Sequence, residues 1–466
     1  MNEFQKPWLK ASVLILGLGC NVESKSHNSG GVGDQASAGA GGVAESGDQS
    51  QAGSPARPVQ ASAGAGGAFV LGTAGAAGVS STPKPAFPRG VAVVLSDYLS
   101  TQIALSDLEG NTLSESFIST ASTQTSGLAF ALSGDVVLPS SPPASGRVVL
   151  LDRYATNVIT WIDPKTAAVL GQLAVGTGFE SNPHDYVEVD ERLAWVSRWG
   201  QNGDPGQQDH DTGGDLLVID TESFEIVDSI VIEPEEDLPP RPSRMTLIGD
   251  EVVVSLDRIS LDWTTTGESR LVAFSVADKD QTWSLGLDGL KACSNPVPDT
   301  GRAQWLVVCT GAVNSDGTVE SLDQSALVIL DFSSSPPKEL QRISAEQIAG
   351  EPLQPEVAVA ADGFVLLKTQ TTWGGTTNNR WLAYDLDNDA TTTLLEARPD
   401  ADGNGQGWTF GGMECAPGCS SLCLMADADR GVLQRLEVSS DGEFELLEPV
   451  EVETAVGLPP IGLGQR

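Results

Sequence analysis

Basic side chains are scarce in this chain, 26 Lys and Arg against 63 Asp and Glu, yet several stand at matching places. Short apolar runs end in Arg153, Arg198, Arg258 and Lys368, and the RPSR segment sets Arg241 and Arg244 at the start of another run. Cations presented from equivalent positions could grip a carboxylate or phosphate, guanidinium groups doing so through a planar fork of donors. They could instead pair with recurring acids such as Asp152, Asp163 and Asp257 between repeats. His184-Asp185 opens a further run, and an imidazole beside a carboxylate can move protons. A hydrogen-bonded loop closure would use the same two residues.

Two stretches carry hard oxygen donors. Asn202, Asp204, Asp209, His210, Asp211 and Asp215 crowd one segment, at a density that suits Ca2+. The run from Asp400 through Asp402 and Asn404 to Gly405 matches the opening of a calcium loop, D-x-[DN]-x-[DN]-G. Its closing acid is absent: Gly411 occupies the twelfth place and Trp408 the ninth. Ca2+ is the one cofactor these residues suggest, with solvated acidic turns as the alternative.

The elements that must position these residues are repeats. Gly213–Glu233, GGDLLVIDTESFEIVDSIVIE, reads as strand, tight turn, strand. Near-copies place the end of the first strand at Asp107, Asp163, Asp220, Ser275, Asp331, Asp385 and Glu437, at intervals of 56, 57, 55, 56, 54 and 52 residues. Strand-only repeats of this length predict an all-β fold, a seven-bladed β-propeller of four-stranded antiparallel blades. The first copy, Gly90–Thr120, has three strands, and the chain carries a surplus segment at its end. Glu453–Ile461 is therefore expected to pair with Gly90–Val94 and close the ring, removing open edges. Segment 121–134 is the other segment that could serve.

In this arrangement the connections after the second strand are long in blades three to six: Gly200–Gly214, Ile259–Glu268, Gly311–Ser325 and Gln370–Asn379. They share one face with the recurring basic residues, and loops on a rigid scaffold commonly carry binding residues. The ten tryptophans are spread singly along the chain, with no stacking pocket for a flat cofactor. Cys293 and Cys309 fall on neighbouring strands of blade five, and Cys415 and Cys423 flank a turn of blade seven. Two disulfides are expected there, leaving Cys419 over. The C-x3-C-x3-C run has no histidine near it and no C-x2-C knuckle for a metal.

Met1–Cys20 begins with Lys6 and Lys10, continues through a short apolar run and ends in Gly19-Cys20. It reads as a signal segment with Cys20 as the lipidated residue, although Gly17 stands where a lipobox has Leu. Residues 21–87 are Gly, Ala and Ser-rich without apolar periodicity and read as a linker; about 65 residues would span on the order of 45 Å. Residues 88–466 form the propeller. A net charge of −37 would repel nucleic acid.

The VIDTES and WIDPKT lines resemble the seven-bladed propellers of the YVTN-repeat and lactonase-like superfamily. The lipobox, the tether and the lines SNPHDY and LLDRYATNVITWIDP are similar to propeller lipoproteins of myxobacteria. The resemblance implies a monomer anchored by lipid in the cell envelope, at the outer membrane. It says little about activity, because propellers host many functions. The reading is a non-catalytic module that binds a protein, glycan or anionic ligand through its long-loop face. Two alternatives stand beside it: a lactonase-like hydrolase with a metal in the central channel, fed by His184, Asp185, Glu356 and Glu414, and a structural envelope lipoprotein.

Overall fold

The structure, a computed structural model, describes residues 90–107, 111–122, 125–314, 318–361, 363–369, 379–398, 410–415, 422–439, 442–452 and 457–465. The expectations for Cys20, the signal and linker segments, Cys419, and Asp400, Asp402 and Asn404 lie outside these residues.

The strands form seven four-stranded sheets, each with neighbours paired antiparallel. Each sheet is one repeat of the sequence, running from an innermost strand near the channel to an outermost strand at the rim. Inner strands read as continuous apolar runs because both of their faces are covered. In Gly90–Ser96 alternate residues face opposite ways. Val91, Val93 and Leu95 pack with Leu424, Ala426 and Leu433 of blade seven, while Ala92 and Val94 pack with Val148, Leu150 and Ile162 of blade two. The same division recurs at the junctions two–three, three–four, four–five, five–six and six–seven, each with its own apolar cluster. The core is therefore a ring of seven interfaces. Outermost strands such as Lys338–Ser344 are largely exposed.

The ring closes through the C-terminal strand, Pro460–Gln465, which pairs antiparallel with Gly90–Ser96 and stands innermost in blade one. Closure by the tail was expected, but the strand lies farther along than Glu453–Ile461. Leu463 opposite Val93 sets the register by filling the blade seven–one cluster, and Ile461 falls on the other face. The prolines are accommodated at the strand's start, beside a register shift between Val94 and Leu95, where Pro459 accepts the Ser96 amide at 3.0 Å. Segment 121–134 does not close the ring; its Leu132 packs at the blade one–two junction. Gly411 and Gly412 admit the closing strand: a Cβ on either would meet its backbone at 2.3 Å and 2.5 Å.

Candidate functional site

The innermost strands and the ends of the second strands surround a central cavity of about 650 Å³. Blade four contributes Ser243, Arg244, Thr246 and Asp257 to its wall, blade two Asp135, Ser140 and Arg153, and blades six and seven Glu356, Lys368 and Glu414. A pocket of this size and mixed lining suits a small organic ligand.

Most of the recurring basic residues are tied to the scaffold. Arg198 is fully buried; its Nε and Nη2 donate to the two oxygens of Asp215 at 2.7 and 2.6 Å, and the remaining donors reach Thr177 and the His210 carbonyl. Arg153 pairs with Asp135, Lys368 with Glu356, and Arg258 with Glu236 at 2.8 Å. Three of these four partners lie within the same blade, and none is an acid anticipated from the repeats. Asp152 instead accepts from Ser133, and Asp163 closes its own turn through Lys165 and Thr166. Burial pushes the Asp152 carboxyl up to about 6.

Arg244 is different. It is half-buried on the cavity wall, donates one long bond to Ser140 Oγ at 3.3 Å, and makes no ion pair with any described residue.

Behind it lies a cluster that the sequence did not disclose. The tryptophans are not all isolated: Trp199 and Trp263 approach with centroids 5.0 Å apart, and the Arg241 guanidinium sits 4.0 Å and 4.9 Å from the two rings. Arg241 also donates to the Ile259 carbonyl at 2.7 Å, pinning the loop that carries Trp263. Burial lowers the Arg241 pKa to about 10, against the pull of Asp257. His184 stacks on Trp199 with ring centroids 5.3 Å apart, its Nδ1 without a partner. Burial, reinforced by Arg153, Arg244 and Arg241, holds the imidazole well below its ordinary value, so it is neutral. The Trp199 indole donates to Asp257 at 2.8 Å. Burial raises the Asp257 carboxyl to about 7, so a large share of it is protonated near neutral pH.

His184 and Asp185 sit behind the wall rather than on it. Asp185 is fully buried and accepts the backbone amides of Ser140, Tyr186 and Met245 at 2.7–2.8 Å. This is the loop-closure use of the residue, extended to bind blades two, three and four together. Burial raises its pKa despite those bonds and the nearby Arg244. Glu356 is likewise committed: one oxygen accepts the Met413 amide at 2.8 Å and the other pairs with Lys368. The residues proposed to hold a channel metal therefore do not fit one, because the oxygens of Asp185 and Glu356 are occupied by amides and an ammonium. No group of three metal-binding side chains occurs among the described residues.

In the long loop of blade three, Asp211 accepts the amides of Gly206, Gln207 and Gln208, which hold its pKa down, and Asp209 is exposed. That loop is shorter than expected, since its flanking strands extend to Gln201 and from Gly213.

Both expected disulfides are present, Cys293–Cys309 and Cys415–Cys423. Each ties an innermost segment to the second strand of its blade, and both point to an oxidising extracellular or periplasmic setting. No described helix is long and apolar enough to cross a membrane.

No protein-family model matches this chain, and no curated protein matches it either. Solved structures do. A candidate 6-phosphogluconolactonase from Bacteroides fragilis is similar at a TM-score of 0.52 and 10% identity, over 82% of this chain and 99% of its own. A second such candidate, from Bacteroides uniformis, gives 0.51 at 11% identity, over 81% and 99%. A Lactobacillus plantarum protein gives 0.50 at 12%, over 81% and 99%. At these identities the likeness is one of fold.

Proposed function

We propose that this protein is an exported binding module whose ligand is a small anion held in the central cavity by Arg244. One observation carries the reading: in a chain of net charge −37, Arg244 presents a guanidinium to an internal cavity without an ion pair to any described residue, the carboxyls of Asp185 and Asp257 acting on it only from a distance. Desolvating a cation there has a cost, and an anionic ligand would offset it. Asp257, its carboxyl raised by burial to about 7, opposes Arg244 with only part of a unit charge near neutral pH.

Thermal melts at constant ionic strength, with acetate or inorganic phosphate replacing chloride, test the reading. A bound anion raises the melting temperature by mass action. The rise is expected in the wild type and not in Arg244→Gln. Equal rises in both proteins would overturn it.

Export and anchoring rest on Cys20 and the apolar run before it. Cys20→Ala should move the protein from the membrane fraction to the soluble fraction. Unchanged membrane association would remove the lipid anchor from the account.

A further inference from the structure

The charge on the cavity wall is unevenly placed. Arg153 with Asp135 and Lys368 with Glu356 are neutral pairs, so Arg244 is the cation that remains to a ligand on the blade-four side. In a ring of seven, blade four stands across the channel from the junction of blades seven and one. That wall is apolar: Val94, Phe410, Met413, Ile461 and Leu463 line it, with the backbone of Gly411, Gly412 and Gly462 between them. Its one charged lining residue is Glu414, a carboxylate.

Resting on the reading that Arg244 is the anchor, we propose that the cavity takes an amphipathic monocarboxylate, a medium-length straight-chain fatty acid. The carboxylate bonds to the Arg244 guanidinium, with Ser140 Oγ beside it, and the hydrocarbon crosses the channel to the wall of blades one and seven. A small polar anion would leave that wall unused. A diacid of the same length would bring its second carboxylate against apolar side chains, which strip its water without offering it a cation. A volume of about 650 Å³ leaves ample room for such a chain. The apolar half supplies affinity and the guanidinium fixes direction, the usual division of labour in small-molecule pockets.

Isothermal titration of the full chain with acetate, butanoate, hexanoate and octanoate, each below its micelle concentration, tests the ligand class. Octanedioate, 1-octanol and Arg244→Gln serve as comparisons. Affinity should rise on the order of threefold for each added methylene. Octanedioate and octanol should each bind roughly tenfold or more weaker than octanoate, since one buries a second carboxylate against an apolar wall and the other lacks the charge for Arg244. A series that is flat with chain length, while Arg244→Gln still abolishes acetate binding, would overturn the fatty acid and leave the anion site standing. Octanoate binding that is undiminished in Arg244→Gln would overturn the anchor, and with it the function proposed above. The chain-length series uses unaltered protein, so its outcome does not depend on a variant folding.

Discussion

The carboxylate of Asp185, on the innermost strand of blade three, accepts the backbone amide of Met245 in blade four at 2.7 Å. Glu356 makes the same bond to Met413, from blade six to blade seven, at 2.8 Å. These acids are fasteners between blades at the inner rim. Asp185 lies behind the cavity wall, and Glu356, on the wall, is taken up by the Met413 amide and the Lys368 ammonium.

Asp185→Ala should therefore destabilise the fold. It leaves two buried amides and one half-buried amide without their acceptor, each costing about 1 kcal/mol or more, so a loss of roughly 3 kcal/mol is expected in urea unfolding. An unchanged midpoint would show that the inter-blade bonds contribute nothing to the ring.

Removal of residues 460–466 should expose the edge of Gly90–Ser96 and withdraw Leu463 from the blade seven–one cluster. The free edge should promote association as well as lower stability. Light scattering and a thermal melt read both effects. A truncated chain that stays monomeric and melts with its parent would mean that the closing strand is dispensable.

The repeat was legible because strand ends recur at a steady spacing from Asp107 to Glu437, and inner strands such as VAVVL are apolar on both faces. Closure was legible from a missing strand at one end and a spare segment at the other. Its bounds were not, because Leu463 rather than any local signal sets the register. The basic ring was visible as positions but not as partners. Arg153 finds Asp135, Arg198 finds Asp215 and Lys368 finds Glu356 on other elements, while Arg244 keeps none among the described residues. Nothing in the residue types at Trp199, Arg241 and Trp263 announces that three separate segments stack them together.

Asp257 should make stability depend on pH. In the folded chain its carboxyl holds a proton up to about pH 7, whereas in the unfolded chain it releases it near 4. Between these values the unfolded state binds fewer protons, so raising the pH favours unfolding through this group, and the penalty levels off above 7. Asp257→Asn keeps an acceptor for Trp199 and removes the titration. The variant should gain on the wild type from pH 4 to 7, by on the order of 4 kcal/mol in the limit. Parallel stability profiles would contradict the buried, proton-retaining carboxyl.

Arg241→Ala should free the loop around Trp263, because the guanidinium links both indoles and the Ile259 carbonyl. Limited proteolysis should cut near Ile259–Glu268 several-fold faster, with a change in tryptophan fluorescence. A cleavage rate equal to wild type would show that the loop is held by other contacts.

A crystal structure grown with octanoate tests the central claim most directly. The account predicts one molecule in the central cavity, its carboxylate within hydrogen-bond distance of the Arg244 guanidinium and its chain against Val94, Met413 and Leu463. Octanoate bound elsewhere on the protein, for instance in the groove beside Phe364 and Phe444, with the Arg244 side of the cavity holding only solvent, would contradict it.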